Sequence, residues 1–157
     1  MPANKPNTTD ATNGGPAPSP GADAGAVTLG NDPTLSEAVQ NAVVEAMDRH
    51  GYGKASRFAV RLALAEAIAN AFHHGHRGLP AGTTIGVEYR VNGSTVWIAV
   101  EDQGPGFDPA KVPDPTLDEN LEQPSGRGLM LIRAYMTRVA HAGRGNRLEM
   151  AYDKPAG

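Results

Sequence analysis

The sequence predicts an α+β fold, a two-layer α/β sandwich in which a mixed, mostly antiparallel sheet carries helices on one face. Three observations carry that expectation. Apolar residues recur at helical spacing in two long runs before residue 76 and again after residue 126. Between and after these runs the period shifts to two, and Asn92-Gly93 stands between two such alternating runs as a hairpin turn signal.

Residues 1–25 are dominated by Pro, Gly, Ala, Asn and Thr, with no large apolar residue after Met1, and are expected to form a disordered tail ahead of one domain over 26–154. A short strand is expected from Val27 to Leu29. Asp32 or Thr34 can cap a helix over 34–49, whose apolar residues include Leu35, Val39, Val43, Ala46 and Met47 and which Gly51 and Gly53 stop. A second helix is expected over 54–75. Strands at 85–91 and 95–101 flank the Asn92-Gly93 turn and deliver the chain to Asp102-Gln103-Gly104-Pro105-Gly106. Residues 107–125 hold four prolines and five acidic residues and read as a long loop of the kind that serves as a lid. Gly126-Arg127-Gly128 opens a third helix through Leu129, Leu131, Ile132, Tyr135 and Met136, and strands at 137–142 and 146–152 close the domain.

The composition narrows the function classes. The 157 residues include no cysteine, which excludes disulfides and thiolate metal sites. No run approaches the roughly 18 apolar residues of a membrane span, and the first residues lack the pattern of a signal peptide, so a cytoplasmic protein is expected. A net charge of −3, the lack of a basic block and few aromatic residues argue against direct nucleic-acid binding.

The second helix, through LALAEAIANAFHHGHRG, carries a polar face between two apolar stripes. At about 100° per residue, Asn70, His73 and His74 all fall within about 80° of Glu66. Phe58, Leu62, Ala65, Ala69 and Phe72 form one stripe, and Val60, Leu64, Ala67, Ile68 and Ala71 the other, so the helix is expected to be largely buried. Glu66 and Asn70, four residues apart, reach one point in space, where a carboxylate can accept a proton and an amide oxygen can complete the shell of a hard cation. Such groups need a ligand, a metal or water. His74 stands close enough to approach the same ligand. The His-Glu-x-x-His order of a zinc helix is absent, as are the Walker loop and the G-x-G-x-x-G fingerprint. Asp102 stands at a strand end before glycines that let a flat ring approach, and Gly126-Arg127-Gly128 at a helix start suits phosphate.

In this order and spacing, Glu-x-x-x-Asn, Asp-x-Gly-x-Gly, a lid of about twenty residues and Gly-x-Gly at a helix start resemble the N, G1 and G2 boxes of the Bergerat ATP-binding fold. The resemblance runs from about residue 27 to 153 and is closer to one branch, the bacterial anti-sigma-factor serine/threonine kinases. It implies ATP and Mg²⁺ as cofactors, with Glu66 as general base for a substrate serine and Asn70 as the metal ligand. It implies further that Asp102 accepts a hydrogen bond from the adenine amino group, with Gly104 and Gly106 shaping that pocket. His74, Gly126, Arg127, Gly128 and Leu129 would then line the rest of the nucleotide site. The implied partners are a sigma factor and an anti-anti-sigma protein of STAS type, and the implied assembly is a homodimer. Two features depart from the family pattern. The lid carries Asp108, Asp114, Asp118, Glu119 and Glu122 against Lys111 alone, and Asn146-Arg147 stand where relatives often place a threonine near adenine. The alternatives are a non-catalytic protein that uses ATP to gate partner affinity and a detached histidine-kinase catalytic domain. Glu66 disfavours the first. No phosphoacceptor-histidine hairpin is read upstream, which disfavours the second.

Overall fold

The computed structural model describes residues 21–105 and 124–156, with residues 124–127 described by backbone alone. Within that range the elements run β1 (Asp23–Leu29), α1 (Pro33–Arg49), α2 (Lys54–Asn70) continued by a π-helical turn (Ala71–Gly75), β2 (Ile85–Val91), β3 (Thr95–Glu101), α3 (Pro124–Tyr135), β4 (Arg138–Ala142) and β5 (Arg147–Asp153). Residues 1–20 of the expected tail, Gly106 and the expected lid up to residue 123 lie outside the described residues.

Local chemistry sets the helix ends. The Asp32 carboxylate accepts the Thr34 N–H at 2.8 Å, and Pro33, at the first helical position, has no N–H to leave unpaired there. At the far end Gly51 adopts φ 82° and turns the chain out of α1. Pro124 starts α3 two residues ahead of the expected Gly126, so Gly128 lies in the second turn of that helix rather than at its opening.

The strands form one sheet in the order β1-β2-β3-β5-β4. Every neighbouring pair is antiparallel, which corrects the expected mixed sheet: β5 returns from β4 through a tight turn and slots beside β3. The expected tail boundary at residue 25 is also corrected, because β1 already begins at Asp23 and pairs with β2 from Asp23↔Val91 to Leu29↔Ile85. Asp23-Ala24-Gly25-Ala26 has no β-branched residue, so pairing rather than propensity makes this strand. Gly25 lets the Tyr89 ring lie against the backbone, since a Cβ there would stand 2.6 Å from the ring, and the Asp23 carboxylate meets His50 at 3.0 Å.

The helices cover one face of the sheet. Val87, Val91, Val96, Ile98 and Met150 from the strands pack with Val43, Met47, Val60, Leu64 and Ile132 from the helices in a continuous core. The second of the two apolar stripes on α2, together with Ala59 and Ala63, is buried toward this core, and of the first stripe Phe72 packs against it part-buried. Phe58 of the first stripe is 60% exposed and Ala69 is exposed too, which corrects the expectation that the helix is buried on both sides. In a two-layer fold a helix has the sheet on one side only; α3 covers part of the remainder, and Phe58 meets Tyr135 of α3 edge-on at 6.2 Å. Leu64→Ala, which empties a fully buried position at the centre, is expected to cost about 2–5 kcal/mol, read as a lower denaturant midpoint at unchanged slope.

The opposite face of the sheet carries charge. Arg147, 8% exposed, pairs with Glu88 at 2.6 Å and with Glu101 and Glu149 at 2.9 Å each. Burial alone would lower the basicity of its guanidinium, but the hydrogen bonds it donates to three carboxylates outweigh that and raise it. Trp97 lies between this guanidinium and that of Arg90, at 5.9 and 5.0 Å from its ring centre. Arg147 is thus committed to the side of the sheet away from the helices.

Candidate functional site

The candidate residues gather where the C-terminal end of α2 meets the end of β3. Glu66 and Asn70 are half-buried one turn apart, and among the described residues none hydrogen-bonds to either side chain. Both polar groups are therefore left without a hydrogen-bond partner among the described residues. The helix does not stop at Asn70 but widens into the π turn, closed by the His76 N–H on Ala71 O at 3.0 Å. Such widened turns are frequent at functional sites. This one carries Gly75 against the end of β3, where a Cβ would collide with the Asp102 carboxylate.

Asp102 is half-buried, and its carboxylate accepts the Gly104 N–H at 2.7 Å. Desolvation pushes its pKa up, partly opposed by that hydrogen bond and by the nearby Arg144 guanidinium. Gly104 is buried with its backbone against Gly75 O, leaving no room for a side chain. His74 is half-buried and its imidazole is held toward the neutral form, first by burial and then by Arg77 and His73. Arg77 can only donate, so at 3.2 Å the His74 Nδ1 accepts and Nε2 carries the proton. That Nε2 is buried and has no hydrogen-bond partner among the described residues, an orphaned donor on the helix end beyond Asn70.

Across the gap, α3 packs on α2 with Gly128 against the Asn70 amide: a Cβ on Gly128 would stand 2.6 Å from Nδ2 and 2.8 Å from Oδ1. Leu129 is buried beside it. Gly126 and Arg127 belong to the first turn of α3, and nothing of the Arg127 side chain falls within the described residues. Because the atoms so close to Gly128 are the end of the Asn70 side chain, Gly128→Ala is expected to push the Asn70 amide out of its place, while α3 itself gains up to about 1 kcal/mol in helix propensity. Mg²⁺-ATP affinity should therefore fall without a loss of melting temperature, and an unchanged affinity would show that the Asn70 amide is not needed where it stands.

Several residues that local patterns did not single out hold the Asp102 loop. Asp102 N–H donates to Asn146 O at 2.9 Å and the Asn146 side-chain amide donates to Asp102 O at 2.6 Å. Arg144 Nε donates to Gly104 O at 3.0 Å, and the Gln103 side chain donates to Thr84 O at 2.9 Å. His76, 8% exposed, accepts the Gln103 N–H through Nε2 at 3.0 Å. The position where relatives often carry a threonine is therefore occupied by a residue that buttresses the loop from behind. The signal available in the sequence was Gly75-His76 directly after the helix and Asn146 at the end of a glycine-rich turn.

No cluster of three or more His, Asp or Glu side chains that could hold a metal occurs among the described residues. A cation here would draw one protein oxygen from Asn70 and the rest of its shell from phosphate and water, a donor set that suits Mg²⁺ rather than Zn²⁺. A depression of about 390 Å³ opens instead on the helix-free face of the sheet, over Gly86 and between Thr28, Glu88, Glu101 and Arg147. Its lining includes Thr84, Asp102 and Gln103 of the candidate site but neither Glu66 nor Asn70.

No helix of the described residues is long and apolar enough to cross a membrane. No curated protein matches the chain. Among solved structures it is similar to the crystal structure of the RsbU and RsbW domains of Rv1364c from Mycobacterium tuberculosis, with a TM-score of 0.56 at 19% identity. That similarity covers 85% of this chain and 33% of the other, so this chain spans about a third of that one's length, and at this identity the likeness is one of fold. Residues 29–152 match the family described as histidine kinase-like ATPase domain. Because the match runs from the end of β1 to the last turn of the sheet at β5, taking in every element that carries a candidate residue, the chain belongs to the histidine kinase-like ATPase domain family and has its Bergerat ATP-binding fold.

Proposed function

We propose that this domain is an ATP-dependent protein serine/threonine kinase acting as a cytoplasmic anti-sigma factor, one that captures a sigma factor and phosphorylates an anti-anti-sigma antagonist of STAS type. The observation that carries this reading is the pair on α2: Glu66 and Asn70 stand one turn apart, half-buried, with no hydrogen bond from any described residue. A protein that used ATP only as a gate would need the metal ligand but not the free carboxylate beside it. The likeness to a chain that contains an RsbW domain supports the same branch.

In this mechanism Asp102 accepts a hydrogen bond from the adenine amino group, and the missing side chain at Gly75 leaves that carboxylate its place. Asn70 would hold Mg²⁺, which when bound would neutralise charge on the phosphates. The orphaned His74 Nε2–H and the start of α3 supply further donors to phosphate oxygens. Glu66 takes the proton from the serine hydroxyl as its oxygen bonds to the γ-phosphorus and the bond to the bridging oxygen of ADP breaks. Positioning and charge neutralisation do most of the work in such transfers, which is why so few side chains suffice.

The test is purification of the native complex followed by incubation with γ-labelled ATP and mapping of phosphoserine. Labelled antagonist with Mg²⁺ and none with EDTA is the expected result. Tight ATP binding without transfer to any co-purified protein would replace the kinase with a nucleotide-gated binder. A homodimer is part of the proposal and is read from the mass of the same purified complex.

A further inference from the structure

We infer that His76 is a positioning residue that sets the domain's preference for adenine, by fixing the peptide that carries Asp102. The inference rests on the reading of Asp102 as the adenine acceptor and deepens it. His76 is buried at the exit of the π turn, its ring edge-on to Phe72 at a centroid distance of 5.6 Å and an interplanar angle of 84°. Its Nε2 lies 3.0 Å from the Gln103 nitrogen. A backbone N–H can only donate, so Nε2 must offer a lone pair and the ring proton must sit on Nδ1. That assignment makes the imidazole an acceptor dedicated to one peptide.

The other hydrogen bonds to this loop come from the sheet side. Asn146 and Arg144 reach it from the β4–β5 turn and Thr84 from the approach to β2. His76 alone, among the described residues, hydrogen-bonds to it from the helical layer that carries Glu66 and Asn70. It therefore sets the distance between the end of the site that reads the base and the end that holds the phosphates. Without that acceptor the part-buried Gln103 N–H would turn to another partner, and the neighbouring carboxylate would turn with its peptide. An adenine amino group depends on the direction of that carboxylate. A guanine, which presents a carbonyl oxygen there, gains nothing from it.

The experiment compares Mg²⁺-ATP and Mg²⁺-GTP affinities by calorimetry for wild type, His76→Gln and His76→Phe. Glutamine places an acceptor oxygen where Nε2 stands, whereas phenylalanine keeps the ring against Phe72 and removes the acceptor. His76→Phe is expected to lower ATP affinity about five- to tenfold with GTP affinity unchanged, while His76→Gln retains the wild-type ratio within about twofold. Equal losses for both nucleotides in His76→Phe would show a merely structural residue and overturn the inference, as would an unaltered ratio. Nitrogen-15 NMR of wild-type imidazole reads the tautomer directly and decides the case should the phenylalanine variant not fold: a protonated Nε2 would sink the inference, and a protonated Nδ1 beside a bare Nε2 would support it. Failure of wild type to bind ATP would instead remove the underlying reading of Asp102, an outcome distinct from binding with preserved selectivity in His76→Phe.

Discussion

Asp102→Ala is expected to weaken ATP binding by about 10- to 100-fold in calorimetry, the loss that follows from removing one hydrogen bond to a charged acceptor. The fold should survive, because the loop keeps its backbone bonds to Asn146, His76 and Arg144. The same carboxylate gives the binding a pH dependence. Burial raises the Asp102 pKa above its ordinary 3.8, so the folded protein favours the protonated form more than the unfolded chain does. Its contribution to stability is thus full below the unfolded value and is lost as the pH rises through the folded one. Adenine binding has the opposite demand, since the amino group needs the ionised acceptor. ATP affinity should accordingly fall on acidification, starting at a higher pH than for an ordinary aspartate, and Asp102→Ala should flatten that part of the profile. Equal affinity of variant and wild type across the range would take Asp102 out of the adenine contact.

How much of this was legible in the sequence depends on the range of the interactions. The start of α1 was readable because an Asp32-Pro33 cap is decided within three residues. The Glu66 and Asn70 pair was readable for the same reason, since helical spacing alone puts i and i+4 on one face. The first half of β1 was not, because Asp23 to Ala26 becomes a strand only through pairing with residues more than sixty positions away. Which of the two apolar stripes on α2 would face the sheet was equally hidden, and Phe58 shows that a helical wheel cannot choose between them. The scaffold of the Asp102 loop lies at separations of 27, 40 and 44 residues, for His76, Arg144 and Asn146, which no local pattern records. The antiparallel insertion of β5 beside β3 belongs to the same class, being decided by the sheet as a whole.

Glu66→Gln is expected to abolish most phosphate transfer, by about 10²- to 10⁴-fold, while leaving Mg²⁺-ATP affinity near that of wild type. The argument turns on what the substitution keeps. Glutamine has the size of glutamate and the same helical preference, so α2 and its packing against the core through Ala63, Leu64, Ala67 and Ile68 are undisturbed. No described residue hydrogen-bonds to the Glu66 carboxylate, so its replacement orphans no partner, and stability should change by less than about 0.5 kcal/mol. Only the basic lone pair is lost. A serine hydroxyl approaching the γ-phosphorus must shed its proton as the new bond forms, and a neutral amide cannot take it. Transfer to the co-purified antagonist, measured with labelled ATP alongside nucleotide affinity for both proteins, separates the roles. Retained affinity with lost transfer assigns the proton to Glu66. Full transfer by the variant would move the base elsewhere or leave the reaction without one, as a loose transition state permits. Under the proposed function, capture of the sigma factor should persist in the variant, because it is expected to use an outer surface of the domain rather than a half-buried carboxylate on α2.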